Sequence, residues 1–402
     1  MKTLSIAVLS VLSVLVLSAR VSAQPGSPDI SKAHHVGRLY LKPAIALTNL
    51  GVDTNVFNEA DQTQPESDFT LTVTPQTDLW LKMGHAWLTG NLKEELVWYQ
   101  TFASERSANP HAMVGLTVPL NRVRFGVNAA YLNTRERPGF EIDSRSQRRE
   151  LSYHGSVDVR LRPKTFVGLR GDRMTTGFDS AALFEGVNLR EALNRTVTSA
   201  AVTVRQQLTP LTAMTLDVGR GEDRFEFSPL RDSDSTSASL GVTFDSIIKG
   251  RASFGYRDLQ PLSLGLPPYQ GTTAAADLSY VAFGTTRLGV QATREIQYSF
   301  ETIQPYYLLT GVTGSVMRRI ARPVDVVGRA GVQNLNYRDS IGIVVAARNR
   351  IDTVHTYGGG IGYHLGKDVR VGFNVDYVQR ASPVLTRAYH GFLIGTSVTY
   401  GL

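Results

Sequence analysis

From residue 36 onward the chain alternates apolar and polar positions in segments of about ten to fifteen residues. In 368–380, Val369, Val371, Phe373, Val375 and Tyr377 share one parity, and Arg370, Gly372, Asn374 and Asp376 share the other. In 122–134, Val123, Phe125, Val127, Ala129 and Tyr131 stand against Arg124, Gly126 and Asn128. In 150–162, Leu151, Tyr153, Val157, Val159 and Leu161 stand against Ser152, His154, Ser156, Asp158 and Arg160. Successive side chains of a strand point to opposite faces, so this period of two predicts strands with one apolar and one polar face.

The connections choose between a soluble sandwich and a closed barrel. Short turns are expected near Gly84, Asn121, Pro163, Pro210, 247–249, Gly284, 321–322 and 366–367. Between them lie longer polar stretches at 52–67, 103–109, 135–149, 177–194, 228–234, 260–270, 300–304, 338–349 and 381–387. Short and long connections alternate from end to end, as they do when all turns lie on one side of a membrane and all loops on the other. The pattern predicts an all-β chain: a transmembrane up-and-down antiparallel β-barrel of about 18 strands, with 16 fitting as well. Both termini fall on the short-turn, periplasmic side. In lipid every unpaired backbone group costs several kcal/mol, so only a closed sheet can cross as strands.

The last segment, 390–402, alternates again, with Phe392, Ile394, Val398 and Tyr400 on one face. It has the form of a terminal strand that outer-membrane assembly machinery reads, although Leu402 stands where Phe or Trp is usual. Aromatic residues near strand ends suit the headgroup level on both sides of a bilayer: Trp80, Trp98, Tyr99, Tyr131, Tyr153, Tyr298, Tyr306, Tyr337, Tyr377 and Tyr400.

Composition narrows the setting. The chain has 402 residues with 36 Gly and no Cys, and its mean hydropathy of −0.11 leaves no room for a bundle of transmembrane helices. Lys2, the apolar run Ile6 to Leu17 and Val21-Ser22-Ala23 predict a secretory signal peptide over 1–23, cleaved before Gln24. That run is too short to span a bilayer. The expected division is then 1–23 signal peptide, 24–37 periplasmic tail and 38–402 barrel, with the bacterial outer membrane as location. Absence of Cys excludes a lipoprotein and a disulfide scaffold. Cleavage removes Lys2 and Arg20 and no acid, so the formal charge falls from +7 to +5. No basic run with interleaved aromatics exists, so nucleic acid is not an expected partner.

One stretch carries a family resemblance. Leu41-Lys42-Pro43 leads a strand, Gly51-Val52-Asp53-Thr54-Asn55-Val56-Phe57 follows, then Ser67-Asp68-Phe69 and Val73-Thr74-Pro75. This arrangement, over residues 39 to 80, resembles outer-membrane β-barrel porins of the exopolysaccharide-associated type; beyond it the likeness is architectural. The resemblance implies a barrel serving polysaccharide secretion or a general pore, with polysaccharide export components as partners beside outer-membrane lipid and the barrel assembly machinery. It brings no catalytic residue. Asp53 and Asn55 are expected to cap loop backbone rather than hold a ligand.

With the apolar faces toward lipid, the polar faces define a lumen. Arg124, Arg160, Arg170, Arg205, Arg251, Arg257, Arg287, Arg329 and Arg370 are the expected pore-lining residues. They outnumber the luminal carboxylates, which predicts a preference for anionic or polyhydroxylated solutes. The opposite outcome is that the charges pair across the lumen and close it. In the longest loop, 176–194, Ala181, Ala182, Leu183, Phe184, Val187, Leu189, Ala192 and Leu193 include helical spacings, which fit a short helix over or in the mouth as a constriction and, equally, an extracellular flap. The glycine run 358–366 lacks the Ser or Thr a phosphate loop needs after its lysine, and is expected to let the wall pack closely. Glu94 and Glu95 are adjacent on a strand, face opposite ways and cannot act as an acid–base pair. His34-His35 has no partner for a metal nearby. The reading is therefore a channel for hydrophilic solute with no cofactor and no enzymatic role. A structural or adhesive barrel with a blocked lumen and a membrane-embedded hydrolase are the alternatives.

Overall fold

A computed structural model describes residues Ile30, 33–345 and 347–401. The proposed signal peptide, most of the tail and Leu402 lie outside the described residues. Eighteen long strands form the wall: β1 Leu39–Asp53, β2 Asp68–Met83, β3 Ala86–Tyr99, β4 Ser107–Pro119, β5 Val123–Glu136, β6 Ser146–Arg162, β7 Thr165–Phe178, β8 Arg195–Thr209 and β9 Thr212–Phe225. The others are β10 Ser233–Asp245, β11 Ile248–Pro261, β12 Tyr269–Ala282, β13 Thr286–Tyr298, β14 Tyr306–Ala321, β15 Val324–Arg338, β16 Ile351–Leu365, β17 Val369–Ala381 and β18 Tyr389–Tyr400. Each pairs antiparallel with its neighbours in sequence, and β1 pairs with both β2 and β18, which closes the sheet. The expected barrel is present with 18 strands rather than 16. A three-residue strand, His34–Val36, folds back on Leu39–Leu41 just outside the closed wall.

At the closing seam the register of β1 shifts between Leu47 and Leu50 against β18. Asn49 takes a positive φ of 55° there. The bulge brings β1 so close to β18 that a Cβ on Gly51 would lie 1.9 Å from the carbonyl oxygen of Ile394. Only glycine fits.

Alternation sorts the side chains. Leu169, Val218, Phe254, Val312, Ile361 and Phe373 stand exposed on the outer face, where lipid buries them at about 1.5–3 kcal/mol each. Tyr357 and Tyr377 stack with ring centroids 6.4 Å apart and Tyr377 meets Phe392 at 4.7 Å, so the loop-side aromatic girdle is continuous across β16–β18. Four aromatics assigned to that girdle from sequence belong elsewhere: Tyr99, Tyr298, Tyr306 and Tyr337 are removed from the outer surface and packed into the loop end of the barrel. Tyr99, Tyr306 and Tyr337 are almost fully buried, and Tyr298 packs on Phe225 at 4.9 Å.

The glycines of β16 serve close packing as expected. A Cβ at Gly358 would meet Asp376 and Arg329, at Gly360 Asn374, and at Gly362 Arg370, each at about 2.2–2.4 Å. Their absence lets those luminal side chains lie flat on the wall.

Candidate functional site

The polar faces do form an interior wall. Inward-facing Asn128, Ser237, Asp277 and Gln291 remain exposed, so the lumen beside β5 and β10–β13 holds open space rather than packed side chains. On the opposite wall a polar cavity of about 100 Å³ is lined by Thr74, Gln76, Lys93, Glu95, Arg329 and Asn374, among others.

All nine arginines named from sequence fall on inward positions of their strands, but they are not equally engaged. Arg170 lies 3.2 Å from Asp217. Arg257 reaches Asp223 at 3.4 Å and Ser235 at 3.1 Å. Arg329 makes a two-pronged contact with Asp376 at 2.7 and 2.6 Å. Arg370 does the same with Asp325 at 2.9 and 2.6 Å, and His364 shares that carboxylate at 2.5 Å. Arg160 donates to the Asn121 carbonyl at 2.8 Å. Arg124 and Arg205 each keep a buried N–H nitrogen without a hydrogen-bond partner among the described residues. Arg251 and Arg287 also face inward. Pairing of four arginines with carboxylates leaves the lumen less positive than a count of arginines suggests.

The loop end of the barrel is stoppered. β11 and β12 pair as far as Leu259 and Tyr269, and β13 and β14 as far as Tyr298 and Tyr306. The ladder between β12 and β13, however, stops at Ala274 and Arg294. Arg294 bridges the opening, donating to Thr272 at 3.2 Å and Thr310 at 2.9 Å. Beyond it the β13–β14 hairpin leaves the wall and enters the mouth. Its outer-parity residues Ile296, Tyr298, Tyr306 and Leu308 pack on Leu259 and Tyr269, and the Tyr298 hydroxyl meets Ser233 at 2.6 Å.

The hairpin tip, 299–305, is the centre of the stopper. Arg231 is buried there and donates to the carbonyl oxygens of Ser299, Pro305 and Ala192. Loop 137–145 comes down beside it: Ser299 donates to the Glu141 carboxylate at 2.5 Å and the Phe300 N–H follows at 3.3 Å. Loop 179–194 completes an apolar cluster, in which Leu189 and Leu193 of a helix over Leu189–Leu193 pack with Ile142, Phe178 and Phe300. The short helix expected in the longest loop therefore exists, spans five residues and lies in the mouth.

Around this cluster runs a buried charge network. Arg380 reaches Asp143 at 2.9 Å and Asp352 at 2.5 Å. Arg350 reaches Asp352 at 2.7 Å and Glu301 at 2.6 Å. Arg387 reaches Asp143 at 3.2 Å and lies over the Phe184 and Phe300 rings. Breaking a buried pair by removing one partner costs about 3–5 kcal/mol, because the other charge stays buried. Glu141 differs from these carboxylates. Among the described residues arginines reach only its backbone carbonyl, and burial pushes its carboxyl up from 4.5 to about 7. Sequence reasoning missed this network, since its members come from segments far apart in the chain: 141–143, 301, 350–352, 380 and 387.

The family-like stretch is built from capping contacts. The Asp53 carboxylate accepts from the Asn55 N–H at 3.1 Å, and Asn55 accepts from Glu59 N–H at 2.8 Å. Asp68 accepts from the N–H groups of Phe69, Thr101 and Phe102. Glu95 pairs with Lys93 inside the lumen, while Glu94 faces outward between Leu92 and Leu96. One luminal trio has hydrolase residue types: His154 contacts Asp172 at 2.6 Å, and Ser199 bonds the same carboxylate at 3.3 Å. Ser199 is thus held by the carboxylate and not by the imidazole that would have to activate it. No group of three or more potential metal ligands occurs among the described residues.

A closed 18-strand antiparallel barrel with an apolar outside and a polar inside defines an outer-membrane β-barrel of the porin kind. The chain matches the family described as "Putative beta-barrel porin 2" over residues 32–401, and it belongs to that family. A comparison with curated proteins finds no match. Among solved structures, the outer membrane protein opdK from Pseudomonas aeruginosa is similar at 9% identity and a TM-score of 0.48, covering 90% of this chain and 98% of that one. A bacterial polysaccharide outer membrane secretin is similar at 10% identity and a TM-score of 0.34, covering 91% and 99%. The ferric citrate transporter FecA in its unliganded form is similar at 10% identity and a TM-score of 0.45, covering 87% of this chain, which spans 61% of its length.

Proposed function

We propose that this porin-family barrel is a gated channel for hydrophilic solutes, anionic ones above all, with polysaccharide export as the setting that its family resemblance suggests. The observation that carries the reading is the asymmetry of the interior. The lumen is polar and holds open space below, while the loop end is filled by a hairpin and loops held in part by charge pairs. A packed structural barrel has no use for a wall of solvent-exposed Asn, Ser, Asp and Gln. Passage then requires the stopper to move, because its helix and hairpin tip occupy the mouth.

The stopper itself favours a second reading, a structural or adhesive barrel whose lumen stays blocked. Liposome swelling separates the two. Vesicles carrying the protein are expected to admit a small anionic sugar faster than a neutral sugar of equal size. Swelling no faster than in protein-free vesicles, for both sugars, would leave the blocked barrel as the better account.

A further inference from the structure

The turn-end part of the lumen carries a cluster that passage alone does not require. Inward side chains follow one another around the wall there at nearly one level. Arg124 of β5 stands in register with Asp158 of β6, Arg160 of β6 with Phe166 of β7, and Phe166 with Arg205 of β8. The Arg205 guanidinium lies over the Phe166 ring at 4.4 Å and is 8% exposed. That packing fixes its direction and leaves its Nη2 buried without a hydrogen-bond partner among the described residues. The Nε of Arg124 is in the same condition. Buried donors are normally satisfied, and each exception calls for an explanation.

Asp158 is not that explanation. Both guanidinium groups lie within range of its charge, yet among the described residues it makes no salt bridge with either. Arg124 also lies within range of the like charge of Arg205. Two neighbouring guanidinium groups with unused donors are a costly arrangement by themselves and a favourable one around an anion. The planar fork of arginine matches the oxygens of carboxylate and phosphate. Arg160 is held beside them by its bond to the Asn121 carbonyl, and Arg122, Arg162 and Lys164 stand exposed at the rim. Such a rim raises the local concentration of anions at the orifice.

We propose that Arg124, Arg160 and Arg205, arranged around Phe166, form a luminal binding site for an oxyanion, a carboxylate or phosphate carried by the solute. The site rests on the reading of the lumen as a solute path and adds the charge group that the path recognises. Asp158 tempers the attraction, which suits a site that must also release.

The test reads binding and not conduction, so its failure is separable from failure of the channel. The protein purified from outer membranes in detergent is titrated calorimetrically with glucuronate, inorganic phosphate and glucose. Binding of glucuronate, phosphate or both, without glucose, is expected, and which anion binds more tightly tells the carboxylate source from the phosphate source. The pair Arg124→Gln and Arg205→Gln should weaken binding tenfold or more. Asp158→Asn should tighten it several-fold, a change in the opposite direction that a misfolded barrel cannot give. The outward-facing Arg220→Gln should leave it unchanged. Equal binding of glucose, no binding of either anion, or binding indifferent to both the arginine pair and Asp158 would overturn the site. Anion binding by a protein that never conducts would retain the site and refute the channel.

Discussion

Glu141 is a buried acid in the mouth, 1% exposed. Its carboxylate is buried in the stopper, accepts from Ser299 and Phe300, and has the charges of Arg387, Arg380 and Glu301 around it. A released loop returns it to its ordinary value of 4.5, while the packed loop holds it at about 7. Between those values the packed form keeps the proton and the released form does not. Glu141's contribution to closure is therefore fully present below about pH 4.5 and is lost as the pH rises through about 7, by on the order of 3 kcal/mol. Hydrogen exchange of loop 137–145 should accelerate over that range. Glu141→Gln keeps the acceptor for Ser299 and should abolish the dependence; a slope that survives the substitution assigns the effect to another group. At the closing seam, Gly51→Ala forces a Cβ onto the Ile394 carbonyl. Overpacking of this kind costs about 1–3 kcal/mol, so the variant should unfold at lower urea in micelles than the parent, and an unchanged midpoint would show that the seam can give.

At the scale of elements, the helix Leu189–Leu193 and the β13–β14 hairpin act as one stopper, joined by Phe300 and Arg231. Removing 179–192 takes four of the five helix residues and much of the apolar cluster away while leaving the eighteen wall strands intact. The shortened protein should carry a larger single-channel current than the parent; equal currents would show that the helix does not lie in the path. The strands themselves were legible because lipid outside and water inside impose a period of two on every one of them. The hairpin was not. Ile296, Tyr298, Tyr306 and Leu308 have the parity of lipid-facing residues, the two tyrosines read as girdle aromatics, and only the end of pairing at Arg294 sends them inward. That end depends on Thr272 and Thr310, which no local pattern connects to Arg294. The luminal arginines were legible as inward positions, yet which of them are neutralised depends on register, which sets Asp217, Asp325 and Asp376 beside Arg170, Arg370 and Arg329.

For the whole molecule, a closed wall, a polar interior and a mouth filled by a hairpin and loops support the proposal of a porin-family channel that opens on demand. The most direct measurement is single-channel conductance of the purified protein in a planar bilayer at about pH 5 and about pH 8, with a salt gradient to read selectivity. Discrete steps with anion preference and a higher open probability at the higher pH are expected. A correctly folded barrel that passes no current at either pH, or one that prefers cations, would contradict the proposal.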